Sequence, residues 1–318
     1  MSATTPVCEL LGIERPIVLA PLAVDPRLPA AVSNAGGLGS LGLSWSDDAG
    51  AVVRETAALT DRPIAGNFVL FTDQHHRIDQ ALAAGLRIVS LIWGDPSGYA
   101  DAVHDAGGLV MHTVGSAEEA RHAVGCGVDI IIAQGWEAGG HVWSGVATLP
   151  LVPAVVDAVA PVPVIAAGGI GDARGVAAVF ALGAQAALLG TRFLLADEMP
   201  IHEDYRQHLL GATETDAEWY PNLYEVGWPN APHRALHNST AAAWEAAGRP
   251  QPGSRPGEGD VIAHFASGEA IVRYEPAPPM VGTTGEIEPL SQWAGQSVAL
   301  ARRTQPAAEI VKELVSRL

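Results

Sequence analysis

The sequence has little positive charge, few cysteines and no long apolar run, and each shortage excludes a class of protein. Its 18 Lys and Arg residues against 35 Asp and Glu give a formal net charge of −17, so nucleic acid and anionic membrane surfaces are poor partners. The two cysteines, Cys8 and Cys126, lie far apart without the neighbours of a disulfide framework or metal site. No apolar stretch nears the roughly 20 residues that span a bilayer, and no basic region leads into an apolar core at the start. We therefore expect a soluble cytoplasmic protein.

What is abundant is apolar sequence. Hydrophobic residues make up 48% of the 318 positions and charged residues only 17%, which is typical of a compact globular chain and not of a disordered one. This length suffices for one large α/β barrel or for two ordinary domains.

Short apolar runs alternate with alanine-rich amphipathic segments up to about residue 200, at roughly 20 to 25 residues per unit. Several runs are apolar throughout, as expected for strands covered by helices on one face and by a packed barrel interior on the other. The repeat predicts an α/β fold of the (β/α)8 TIM-barrel type in preference to an open doubly wound sheet. The eight predicted strands are Ile17–Pro21, Leu38–Leu41, Ile64–Phe68, Ile88–Ile92, Leu109–Thr113, Asp129–Gln134, Val164–Gly168 and Ala186–Gly190.

The pattern changes after residue 200. Residues 205–305, which we call the appended segment, contain an aromatic-rich stretch from Trp219 to Trp244 and the proline and glycine loop Gly248–Gly259. The aromatic residues are predicted to pack within the segment, with a stacking platform for a ligand as the alternative. The segment is predicted to cover the barrel mouth. Residues 1–204 and 306–318 are assigned to the barrel, with a final amphipathic helix over Ala307–Leu318.

The motif QGWEAGGH, from Gln134 to His141, directly follows the predicted sixth strand. The imidazole at the end of this strand can transfer protons, and the glycines beside it allow a ligand to approach the backbone closely. Barrel active sites lie at the carboxyl ends of the strands. His141 is therefore the predicted catalytic residue.

Two glycine motifs follow the predicted seventh and eighth strands: AAGGIGDARG, from Ala166, and LLGTRF, from Leu188. Barrels bind phosphate with backbone N–H groups at these two positions, and Asp172 is placed to cap the next helix. Glycines used as plain turns are the alternative. A formal GxGxxG match within Gly36–Gly42 lies between a predicted helix and a strand, the reverse of a dinucleotide-binding motif, and predicts only a turn.

Other polar residues leave alternatives open. Asn67 and His112 end predicted strands three and five, where each is either a site residue or a satisfied polar group at the rim. Pro21 is either a turn residue or a wall of the site. The pair His75–His76 lacks a ligand set of known spacing, so no metal is predicted.

On these motifs, together with AGNF around Asn67 and the opening APLA, the chain resembles the nitronate monooxygenase family, with related FMN-dependent enoyl and quinone reductases close by. The resemblance spans about residues 7–245. It implies FMN as cofactor, a small-molecule substrate and O2 as partners, and oxidation of alkyl nitronates, with nitroalkanes as a further class, to a carbonyl compound and nitrite. Homo-oligomerisation stays open.

The resemblance also implies roles for individual residues. His141 would be the base, with the ordinary pKa near 6.5 of a histidine. Trp143 stands where many members have glycine and would alter which substrates fit. The implied cofactor-binding residues are Pro21, Leu22, Ala23, Asn67, His112, Asp129, Gln134, Gly139, Gly140, Gly168, Gly169, Gly190 and Thr191.

Two rival functions remain at this stage. The first keeps FMN but takes hydride from NAD(P)H to reduce an enoyl thioester or a quinone. The second is a phosphate-binding barrel without flavin.

Overall fold

The computed structural model describes residues 4–318 and contains the predicted closed barrel. Its eight parallel strands pair in the order β2 (Gly39–Gly42), β3 (Ile64–Val69), β4 (Ile88–Ile92), β5 (Leu109–Val114), β6 (Ile130–Gln134), β8 (Val164–Ala167), β9 (Ala186–Leu189) and β1 (Ile17–Leu19). The bridge between Val18 and Leu38 joins β1 to β2 and closes the ring, with the Leu38 N–H donating to the Ile17 carbonyl at 2.9 Å. The short strand β7, Gly140–His141, lies outside the barrel.

Helices separate the strands as the pattern predicts. Asp172 caps α8, as expected, by accepting from the N–H groups of Arg174 and Gly175. The GGLGSLG stretch forms the predicted helix-to-strand turn, where a Cβ on Gly39 would lie 2.0 Å from the Pro29 carbonyl oxygen. The barrel helices are α1 Pro6–Leu11, α2 Arg27–Asn34, α3 Ala49–Ala57, α4 His75–Ala83, α5 Ala100–Asp105, α6 Ala117–Gly125, α7 Thr148–Val159 and α8 Ala173–Ala181.

The C-terminal helix completes the barrel. The tail forms α11, Ala307–Leu314, whose buried Ile310, Val311 and Leu314 repeat at helical spacing. It packs against α2 and α8, in the position that the eighth barrel helix would occupy after β9. The appended segment is therefore an insertion between the last strand and the last helix.

Two apolar layers support the barrel. One fills its interior with side chains such as Val18, Met111 and Ile132, and α1 contributes Val7 and Leu11 to the same cluster. The other lies between strands and helices. No helix within residues 4–318 is long and apolar enough to cross a membrane.

The appended segment covers the carboxyl ends of the barrel strands. Strand β11 pairs on one side with β10 and on the other with β7, which carries the predicted catalytic histidine. Tyr220, Tyr224 and Trp244 pack in its core as predicted, whereas Trp228 packs outside that core, against Val69 and Trp93 of the barrel. The exact limits 205 and 305 stay a prediction. Helix α9, Glu203–Gly211, spans the predicted limit at residue 205. The elements that follow it in the segment are β10 Ala217–Tyr220, β11 His233–Leu236, α10 Ser239–Ala246, β12 Val261–His264, β13 Ala270–Val272 and β14 Thr284–Gly285.

Candidate active site

A cavity of about 970 Å³ lies between the carboxyl ends of the barrel strands and the appended segment. This volume is at the upper end of the roughly 300–1,000 Å³ that ligand pockets occupy, enough for a cofactor and a substrate together. Most of the predicted site residues line this one cavity, although they lie at the ends of five different barrel strands, β1, β3, β6, β8 and β9. They are Pro21, Leu22, Ala23, Asn67, Gln134, Gly139, Gly140, His141, Gly168, Gly169, Gly190 and Thr191.

Two predicted cofactor residues lie elsewhere. Met111 and Thr113 line the cavity, so the alternation of β5 puts His112 on the opposite face, under the helices. There it is buried, its Nδ1 has no hydrogen-bond partner within residues 4–318, and burial lowers its pKa to about 4. Asp129 precedes β6, at the other end of the barrel, where its carboxylate accepts from the Val110 N–H at 2.7 Å. Neither residue is placed to contact a ligand in the cavity.

Trp143, the predicted substrate residue, also lies outside the cavity lining. Its indole N–H donates to Glu119 at 2.6 Å, and its ring packs edge-on against that of Trp93, with centroids 5.0 Å apart. Trp93 does line the cavity. An influence of Trp143 on the substrate would therefore act through Trp93.

The glycines of the predicted phosphate loops take conformations that other residues disfavour. Gly168 and Gly169 have φ of +95° and +71°, and a Cβ on Gly168 would lie 2.7 Å from the Gly135 carbonyl oxygen. The Asp172 carboxylate already accepts from two N–H groups at the start of α8. An anion here would therefore depend on the loop backbone and on Thr191, whose Oγ1 accepts from the Gly295 N–H at 2.9 Å.

His141 lies where the barrel and the appended segment meet. Strand pairing aligns His141 with His233 of β11, and the Gln134 side chain donates to the His141 carbonyl and accepts from the Trp143 N–H. The imidazole stacks on Trp228, with centroids 4.0 Å apart and planes 28° from parallel. Gln134 thus orients the loop that carries His141.

The environment of His141 differs from the one expected. Burial, with a smaller contribution from His233, lowers the pKa of His141 to about 3. Its buried Nε2 has no hydrogen-bond partner in the described part of the chain. The side chain is therefore neutral at neutral pH, but burial also makes it a weaker base than a histidine with the ordinary pKa near 6.5 that the sequence led us to expect.

Arg234 is a residue that the sequence reasoning missed. It is 1% exposed and its guanidinium lies 4.3 Å from the centre of the Trp136 ring. It donates to the carbonyls of Trp136 and Ala138, in the QGWEAGGH loop, and to that of Ala217. Arg234 therefore joins the loop to the appended segment, and only its position in space reveals this.

A metal ion could be held only outside this cavity, judged from residues 4–318. Asp95, His122 and Cys126 bring ligand atoms together at the surface, as do Glu218, His237 and Glu245 in the appended segment. His75 pairs with Asp73 at the start of α4. None of these residues lines the cavity.

The comparisons with known proteins agree with this arrangement. The nitronate monooxygenase family profile matches residues 70–317. A nitronate monooxygenase from Paraburkholderia phytofirmans is 35% identical, over 97% of this chain and 93% of its own. The chain belongs to the nitronate monooxygenase family. As a family member it is an oxidoreductase.

Other relatives of this nitronate monooxygenase family member carry other names. A Mycobacterium tuberculosis protein that is 36% identical over 67% of this chain and 61% of its own is named (3aS,4S,5R,7aS)-5-hydroxy-7a-methyl-1-oxo-octahydro-1H-indene-4-carboxyl-CoA dehydrogenase. FabK from Thermotoga maritima matches with a TM-score of 0.80 and 29% identity, covering 98% of this chain and 94% of its own. Nitroalkane oxidase from Streptomyces ansochromogenes matches with a TM-score of 0.76 and 26% identity, covering 98% and 97%.

Proposed function

We propose that this chain binds FMN in the cavity and oxidises nitronates with dioxygen to a carbonyl compound and nitrite. The observation that carries the proposal is the meeting of three features in one cavity: the Gly168–Gly169 loop, the Gly190–Thr191 turn and His141. The family membership supports the same reaction class. The cytoplasmic location and the oligomeric state stay predictions.

The cavity fits a flavin mononucleotide on two counts. Its volume accommodates a cofactor beside a substrate, and its glycine turns leave backbone approachable where a phosphate would lie. Gly140 also has φ of +68° and nothing within 4 Å of an added Cβ, so the wall beside His141 is open. We assign the phosphate to Gly168, Gly169, Gly190 and Thr191, and the ring to Pro21–Ala23 and Asn67.

When bound, the flavin supplies the electron transfer between nitronate and dioxygen. The residues of the chain orient the substrate and handle its proton. For a neutral nitroalkane, the uncharged His141 imidazole accepts the α-proton, whereas an anionic nitronate needs no base. Asn67 is buried and its amide donates to Ser90 Oγ at 3.2 Å, which fixes the side chain for contact with a ligand.

The charge of the cavity argues against substrates with several phosphates. Of the described residues that line it, none is Lys or Arg, and two, Glu269 and Glu275, are acidic. A coenzyme A thioester or NADPH would bring multiple negative charges to this wall, with no basic side chain there to pair with them. A nitronate carries only one negative charge.

Anaerobic mixing tests the proposal directly. The FMN-loaded protein is mixed in one vessel with ethyl nitronate and in others with NADH or NADPH, and flavin absorbance is followed. We expect bleaching by the nitronate only. Rapid bleaching by either nicotinamide, with no response to nitronate, would support an NAD(P)H-dependent reductase instead, and a colourless protein that FMN cannot reconstitute would exclude both flavin functions.

A further inference from the structure

Aromatic rings concentrate at the outer part of the cavity. Trp228 is the centre of the group: its ring lies 5.3 Å from that of Trp45, 5.3 Å from that of Trp93 and 4.0 Å from the imidazole of His141. The ring of Trp293 also lies close to the His141 imidazole, with centroids 5.4 Å apart. All five residues line the cavity, and we call them the aromatic wall.

The rings come from separate parts of the chain. Trp45 follows β2, Trp93 follows β4 and His141 follows β6, whereas Trp228 and Trp293 belong to the appended segment. No local sequence pattern among the described residues brings them together, and the pairing of β7 with β11 joins the two regions beside His141. Their convergence is a property of the closed barrel and its cover.

Part of the aromatic wall faces solvent. Trp45 is 61% exposed although it lines the cavity, and the neighbouring Phe71, 6.0 Å from Trp228, is 44% exposed. Large exposed apolar side chains that form a contiguous patch at the edge of a cavity mark a surface that a ligand covers. Isolated exposed tryptophans would carry no such implication.

Two features show that the wall is not optimised for packing alone. Trp93 has φ of +68°, a conformation that is an outlier for a bulky residue and is retained at functional sites. Trp228 is 7% exposed, and its buried indole N–H has no hydrogen-bond partner among the described residues. A buried donor without a partner is unfavourable unless a bound molecule supplies an acceptor.

From this geometry we propose that the aromatic wall is a binding site for a flat apolar group of the substrate, so that aryl nitronates are preferred over small alkyl nitronates. The inference rests on the proposed nitronate oxidation. An aryl ring stacks on indole faces with a favourable offset or edge-on geometry, which an ethyl group cannot reproduce. The absence of Lys and Arg from the described lining residues fits an apolar partner with a single delocalised charge.

The test compares two nitronates on the FMN-loaded protein, those of phenylnitromethane and of nitroethane. We expect kcat/KM for the aryl substrate to exceed that for the ethyl one by about tenfold, and Trp45→Ala to reduce this ratio about five- to tenfold. The matched control is Trp219→Ala: Trp219 is also partly exposed, at 38%, but does not line the cavity, and its loss should leave the ratio unchanged.

A ratio near one in the unmodified protein, or equal reductions in Trp45→Ala and Trp219→Ala, would overturn the inference. Binding of nitrobenzene separates it from the reaction itself, because nitrobenzene has no α-hydrogen and forms no nitronate. Measured by calorimetry on the FMN-loaded protein, its affinity should fall about five- to tenfold in Trp45→Ala and stay constant in Trp219→Ala. Inactivity on both nitronates would contradict the proposed function. An affinity for nitrobenzene that is unchanged in Trp45→Ala would contradict the proposed aromatic binding site.

Discussion

The barrel and the appended segment contribute to the same cavity in different ways. The barrel supplies glycine turns and small polar groups at strand ends, such as Gly168, Gly190 and Asn67. The appended segment supplies two large aromatic side chains, Trp228 and Trp293, which pack against His141. It also supplies Arg234, which donates hydrogen bonds to the QGWEAGGH loop. Under the proposed function, the barrel would bind the cofactor, whereas the appended segment would shape the substrate side of the cavity and the environment of His141.

The largest effect that would test this division is expected from His141→Ala. Loss of the proton acceptor should lower kcat/KM for a neutral nitroalkane by about 10²- to 10⁴-fold, while the rate with the preformed nitronate should fall far less. Steady-state rates on both substrates measure the difference. Equal losses on both would remove His141 from the role of base.

The matched control for that variant is His112→Ala. His112 is also a buried histidine with a lowered pKa, but it lies on the outer face of β5. We therefore expect the His112→Ala variant to retain bound FMN. Its ratio of kcat/KM for the nitroalkane to kcat/KM for the nitronate should equal that of the unmodified protein.

An intermediate effect is expected from Arg234→Met, which removes the anchor between the two regions. Three carbonyls lose their donor, so the free energy of unfolding should fall by at least about 2 kcal/mol, and nitroalkane oxidation should fall with it. Chemical denaturation and activity are the measurements. Arg54→Met, which removes an exposed ion pair with Asp48, should cost under about 1 kcal/mol, and a similar loss in both variants would contradict the anchoring role.

The smallest effect is expected from pH. His141 acts as a base only when unprotonated, and with a pKa of about 3 it stays unprotonated as the pH falls from 8 to 5. We therefore expect kcat/KM for freshly dissolved nitroalkane to change less than about twofold over this range. An ordinary histidine, with a pKa near 6.5, would lose about thirtyfold. A decline with an apparent pKa between 6 and 7 would show that the appended segment does not desolvate His141 in solution.

The sequence predicted the barrel because the evidence for it is local. Strand runs, amphipathic helices and glycine turns each occupy a few residues, and the carboxyl ends of parallel strands share one edge. The placement of Gly168–Gly169 and Gly190–Thr191 in one cavity follows from that topology. His112 lies away from the cavity because one residue of strand alternation separates the cavity face from the outer face, and the strand continues to Val114.

The fold, the cavity edge and the position of His141 could therefore be predicted from the sequence, since they depend on periodicity and on the order of elements. The surroundings of His141 could not, because they depend on residues that are distant along the chain. Trp228 and Arg234 lie some ninety residues further along the chain, and the pairing of β7 with β11 brings them to the loop. The lowered pKa of His141 has the same origin, because desolvation is a property of the packed site and not of the residue.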